Sequence, residues 1–177
     1  RDYPDSLPVH LAAIRSSAAA TDPALIDELT RGLVRLGGSD PDRPSPEVRF
    51  AKARSLLATD RTRAKRDEAV SLLRALVLEF ASRTEFREAL IEALLIDGPP
   101  TDLRPDYERA IEELRLLAAL TQDRSTVVFR LAEVLRKQGR SGEAINELTK
   151  LALDVATDGP AKIEAVADLS QAFADLS

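Results

Sequence analysis

The chain has 177 residues, 44% of them apolar and 31% charged, with a formal net charge of −5. Such a balance describes a folded polypeptide long enough for one ordinary core or a short stack of repeats, and it excludes a disordered segment. There is no cysteine, which excludes disulfides, thiol nucleophiles and cysteine metal sites, and the net acidity argues against non-specific binding to nucleic acid or anionic membranes.

Nine helical segments are predicted along the chain, with no strand alternation. The first covers residues 6–17 and carries Leu7, Leu11 and Ile14. A second follows Asp22 as N-cap and Pro23 at its first position, carries Leu25, Leu29, Leu33 and Leu36, and stops at Gly37-Gly38. Residues 37–45, "GGSDPDRPS", crowd turn formers together and read as a linker. Ser45-Pro46 opens a third helix with Phe50, Ala53 and Leu57. A fourth is expected over 65–81. Ser82 and Glu85 form an S-x-x-E capping box for a fifth, which holds Phe86, Leu90 and Leu94. Pro105 helps to start the sixth, which runs to Leu120. Asp123 caps the seventh, which ends at Gly139. Ser141 opens the eighth, fading at Asp158-Gly159, and Pro160 begins the ninth, with Ile163, Val166, Leu169 and Phe173. Aromatics make up only 4% of the chain, so the core is to be built from Leu, Ala, Val and Ile, a choice that favours an all-α fold.

Three of these helices share one pattern. Ala69, Val70, Leu73 and Leu76 recur as Ala110, Ile111, Leu114 and Leu117, and again as Ala144, Ile145, Leu148 and Leu151. Ala110 and Ala144 are 34 residues apart, and Ala69 and Ala110 are 41 apart. The seven extra residues fall in the loop "DGPPTDLRPD", Asp97 to Asp106. Close approach of two antiparallel helices needs a small side chain at the contact, and the turn between them needs a residue tolerant of positive φ. In the last unit Leu131, Ala132 and Leu135 form one face of the first helix, Gly139 supplies the turn, and Ala144, Leu148 and Leu151 supply the second helix.

On these residues the segment 46–157 resembles the tetratricopeptide repeat family. It departs from the family's pattern at Val128, where Trp is favoured, at Ala156, where Pro is favoured, and at Leu76, Leu117 and Leu151, where Ala is favoured. The resemblance implies a right-handed α-solenoid of antiparallel helix pairs. The corresponding organisation is an irregular N-terminal pair (1–38), a linker (39–45), three hairpins (46–158) and a closing helix or half repeat (159–177). It also implies that the first helix of each pair lines a concave groove for a peptide or helix. Carried over by position, that face comprises Thr126, Phe129, Glu133, Arg136 and Lys137 in the last unit, and Glu85, Glu88 and Glu92 in the middle one.

Chemistry of other kinds has little to stand on. His10 is the only histidine and lies near a terminus, so no Ser/His/Asp set is assembled. "LGGSD" lacks both phosphate-loop spacings, and "DPD" at 40–42 lacks the rest of a calcium loop. The expectation is therefore no enzyme, no cofactor and no metal. Residues 49–74 carry eight basic and three acidic side chains, and residues 85–113 carry nine acidic and three basic. Two readings stand: a polarised surface that orients a charged partner, or neighbouring hairpins that neutralise one another through surface pairs, with the second favoured. The run "RTRAKR" (61–66) has no interleaved aromatic, so nucleic acid is not expected, and no apolar run is long enough for a membrane span.

The expected function is that of a protein–protein interaction scaffold within a larger protein. The alternatives are a regulatory domain acting in cis on a bacterial signalling enzyme, and a homo-oligomer formed through the last helix. The chain has no Met, which reads as a fragment or processed form, and arginine outnumbers lysine 20 to 5, which points to a GC-rich bacterial genome. A soluble chain is expected, with the cytoplasm favoured.

Overall fold

The computed structural model describes residues 24, 28, 31, 32, 44–59, 62–97 and 103–155. Among them are six α-helices and no strand: α1 (Pro46–Thr59), α2 (Arg63–Glu79), α3 (Thr84–Leu94), α4 (Tyr107–Leu120), α5 (Arg124–Lys137) and α6 (Ser141–Val155). They correspond to the third to eighth predicted segments. The helices expected over 6–17 and from Pro160 onward lie outside the described residues. Of the second predicted helix only Ala24, Glu28, Arg31 and Gly32 are described, and they are helical.

Side chains just before the helices start most of them. Ser45 Oγ accepts from the Val48 amide at 3.4 Å, and Pro46, whose missing N–H costs nothing there, takes the first helical position. Thr62, in extended backbone, caps α2 by accepting from Lys65 N at 3.4 Å. Asp106 and Asp123 cap α4 and α5, accepting from Arg109 N and Thr126 N at 3.3 Å each. Each cap satisfies one of the amides that a helix start leaves without an intrahelical partner.

The expected capping box of α3 does not form. The helix begins at Thr84, and the residue before it, Arg83, makes no side-chain cap. Ser82 lies in the turn outside the helix, and the Glu85 carboxylate is drawn to the Arg83 guanidinium at 2.8 Å. Arg83 also holds Glu47 of α1 at 2.9 Å, so a charge-assisted bridge between helices replaces a local neutral cap.

That bridge has a pH signature. Burial pushes the Glu47 carboxyl up, but the bond from Arg83 and the bond to its own backbone amide more than reverse this, leaving it below its ordinary 4.5. A carboxyl held low in the fold contributes stability that is fully present above its unfolded value and is lost as pH falls through the folded one. Thermal midpoints are therefore expected to hold from neutral pH down to about 5 and to drop below about 4.5, with Glu47→Gln shrinking that acid-side drop. Melts of both proteins at neutral pH and at pH near 3.5 check this. An equal drop in the two would remove Glu47 from the account.

The chain divides into two compact units, the first ending at Pro105 and the second beginning at Asp106. The division falls inside the "DGPPTDLRPD" insertion, so of the expected middle hairpin α3 belongs to the first unit and α4 to the second. In the first unit α2 packs against α1 and α3, and α1 also touches α3. Phe50 and Phe86 meet there, with ring centroids 5.1 Å apart. In the second unit α5 packs against both α4 and α6.

Most of the shared pattern is core, while Val70 and Ile145 are half-buried. Ala69, Ala110 and Ala144 are each fully buried, as are Leu73, Leu76, Ile111, Leu114, Leu117 and Leu148. Val128, Leu131, Ala132 and Leu135 form the buried side of α5. Each fully buried Leu or Ile of this set contributes about 1.5–3 kcal/mol over leaving it in water. Each alanine contributes by being small, since a larger side chain at the closest helix approach is overpacked.

The turn between α5 and α6 ends the helix by a defined geometry. Gly139 has φ +78°, its N–H donates to Arg136 O at 2.8 Å, and Arg140 N–H donates to Leu135 O at 2.9 Å. This is the paired 5→2 and 6→1 bonding of a Schellman motif, with glycine at the left-handed position. Gly142, three residues on and inside α6, has no such need, because its φ is not positive, and a Cβ there meets nothing within 4 Å. Gly139→Ala is expected to cost about 1–2 kcal/mol and Gly142→Ala to add about 0.5–1 kcal/mol of stability. Urea midpoints of the two variants check the opposite signs, and a shared sign would contradict this account of the turn.

Candidate functional site

The residues expected to meet a partner lie on two helices. On α5, the stripe Thr126, Phe129, Glu133, Arg136 and Lys137 stands opposite the buried Val128, Leu131, Ala132 and Leu135, as a 3.6-residue repeat dictates. Thr126, Glu133, Arg136 and Lys137 are exposed, and Phe129 is half-buried. The stripe holds one ion pair, Lys137 Nζ to Glu133 at 2.8 Å. The bond from Lys137 holds the Glu133 carboxyl below its ordinary range, and the same bond raises the Lys137 ammonium.

On α3, Glu85 is half-buried while Glu88 and Glu92 are exposed. Glu85 is engaged by Arg83, and Glu92 by Arg54 of α1 at 2.6 Å. The Arg54–Glu92 pair borders a cleft of about 150 Å³ between the C-terminal ends of α1 and α3, whose walls also include Leu57, Ala58 and Ile96. The volume suits one side chain rather than a cofactor. The structure thus brings Glu92 to an apolar recess, a neighbourhood that helical spacing alone does not reveal.

The charge asymmetry of the sequence resolves into pairs. Arg49 meets Glu79 at 2.7 Å, Lys52 meets Glu68 at 2.7 Å, and Arg54 meets Glu92. These contacts join α1 to α2 and α1 to α3, and Glu79 and Glu92, which lie outside 49–74 but within the same unit, offset part of its surplus. A second network spans α4, the turn and α6. Arg140 donates to Glu143 at 2.6 and 2.7 Å and to Glu108 at 3.0 Å, and Arg115 meets Glu143 at 3.1 Å and Glu147 at 3.5 Å. The hydrogen bond from Arg140 is the main reason that the Glu143 carboxyl sits low. Exposed pairs of this kind contribute little to stability and chiefly fix orientation.

One residue of the basic run is not a surface charge at all. Arg66, 9% exposed, donates Nε to Ala93 O at 3.1 Å, one terminal nitrogen to Leu94 O at 3.3 Å and the other to Arg104 O at 2.8 Å. It satisfies carbonyls that the end of α3 leaves open, and its charge sits at the negative end of that helix. Sequence reasoning missed this role because it depends on where α3 ends, more than two turns' worth of chain beyond any local motif.

Among the described residues no group of three or more His, Cys, Asp or Glu side chains could hold a metal ion, and no helix is long and apolar enough to cross a membrane. In the comparisons with known proteins, the sequence matches no protein-family model and no curated protein.

Proposed function

We propose that the chain is a protein–protein interaction scaffold, built as a tetratricopeptide-like solenoid, whose first helices offer their outward stripes to a peptide or helix of a partner. What carries the reading is the two-sided character of α5. One side is committed to the core through Val128, Leu131, Ala132 and Leu135, while the other displays a half-buried aromatic, Phe129, with Arg136 and Lys137 two turns further along the same stripe. Aromatic and arginine side chains sharing one face are the composition that anchors protein contacts. The register of buried alanines at 69, 110 and 144 and the Schellman turn at Gly139 support the repeat architecture.

The paired charge reversal Arg136→Glu and Lys137→Glu tests the face. The Glu133–Lys137 pair that it breaks is exposed, so the melting midpoint is expected to stay within about 4 °C of the parent. Capture of the native partner from its own organism is expected to fall about tenfold or more. Full capture at unaltered stability would show that this face is not the one used.

A further inference from the structure

We infer that the outward stripe of α5 receives an acidic segment of a partner protein, a deepening that rests on the reading of α5 as a partner face. Thr126, Phe129, Arg130, Glu133, Arg136 and Lys137 fall within an arc of about 120° on the helix, at 100° per residue. Three of the six are cations and one is a carboxylate. That carboxylate is already taken by Lys137 at 2.8 Å. Arg130 and Arg136 hold no ion pair among the described residues, whereas Arg49, Arg54, Arg83, Arg115 and Arg140 each hold a carboxylate of the chain itself. Among the described residues these two guanidinia therefore act only at a distance on Glu133, a carboxylate that Lys137 already holds, and the stripe keeps a local positive surplus. A guanidinium forks onto a carboxylate with two parallel bonds, the strongest common surface contact.

Spacing adds a constraint on the occupant. Phe129 to Arg136 and Arg130 to Lys137 are each seven residues, about 10 Å along the helix at 1.5 Å per residue. An extended chain of the polyproline II type, with about three residues per turn, covers that distance in about three residues at about 3.1 Å each. The fitting segment carries carboxylates about three residues apart on one face of such a chain, with an apolar side chain next to the first of them to lie on the half-buried ring of Phe129, which is level with Arg130.

The test titrates the isotopically labelled full chain with three capped peptides of the repeat leucine–X–serine, in which X is glutamate, lysine or serine and so recurs every three residues. The glutamate peptide is expected to shift the α5 amides, to weaken as salt rises, and to lose about tenfold in affinity against Arg130→Glu/Arg136→Glu at unchanged melting midpoint. A glutamate peptide that leaves the α5 amides unmoved, or that binds the variant equally well, overturns the inference. Serine or lysine peptides that match it on α5 also overturn the acidic assignment, while leaving α5 standing as a partner face. If no peptide moves α5 and partner capture also survives Arg136→Glu/Lys137→Glu, the face itself is lost.

Discussion

Phe86→Ala is expected to destabilise the first unit by about 3–5 kcal/mol, the largest effect of any single substitution considered. Among the described residues Phe86 is the largest of the fully buried side chains. Its ring lies 5.1 Å from that of Phe50 and 6.1 Å from that of Phe80, the latter edge-on at 70°. The Arg83 guanidinium sits 4.3 Å above its centroid. Truncation therefore removes transfer free energy, opens a cavity where α1 meets α3, and deprives two aromatic partners of contacts that contribute about 0.5–1.5 kcal/mol each. Phe86→Leu keeps most of the apolar volume and is expected to cost less than half as much. Urea unfolding with the slope held common measures both. A cost below about 1.5 kcal/mol for the alanine variant, against a total of 5–15 typical of a domain, would show that Phe86 is not the keystone of this packing.

Arg66→Met follows, at about 2–4 kcal/mol. Methionine retains the apolar stem but leaves the carbonyls of Ala93, Leu94 and Arg104 without their common donor. Arg66→Lys separates charge from shape. It keeps the cation at the end of α3, while a single ammonium cannot replace a planar fork that reaches three oxygens, so an intermediate cost is expected. Hydrogen exchange supplies an independent readout, because the backbone near Leu103 and Arg104 is expected to lose protection in both variants. Equal stability of the lysine variant and the parent would show that charge alone accounts for the site.

Helix starts were the most legible part of this sequence. Ser45-Pro46, Asp123 and the stop at Gly139 act through bonds within a few residues, so local spelling suffices. The alanine register was equally legible, because burial repeats with the period of the pattern. The start of α3 was not. There the Ser82–Glu85 box competes with Arg83, whose second partner, Glu47, lies 36 residues earlier. Arg66 was hidden for the same reason, its acceptors lying 27, 28 and 38 residues along the chain. The charge runs were half legible: their sizes are plain, but whether Arg54 meets solvent or Glu92 is decided only by which helices pack. The stripes on α3 and α5 could be placed by spacing, and their occupant could not, since outward residues are under no constraint from the core.

The order of packing has a consequence for how fast each unit assembles. Within a unit, helices that follow one another in the chain are the ones that pack, so closing each contact costs little loop entropy, and all-helical domains of this kind fold in about microseconds to milliseconds. The contacts of α1 with α3 and the Arg66 clasp reach further, and the clasp waits both for α3 to form and for Arg104 to arrive beyond it. It is therefore expected to form after the rate-limiting barrier, so that Arg66→Met leaves the folding rate nearly unchanged and speeds unfolding; a folding rate that falls with the full loss of stability would place the clasp in the barrier instead. On that expectation Arg66 is a latch on the finished unit, governing how long it stays folded and not how soon it gets there.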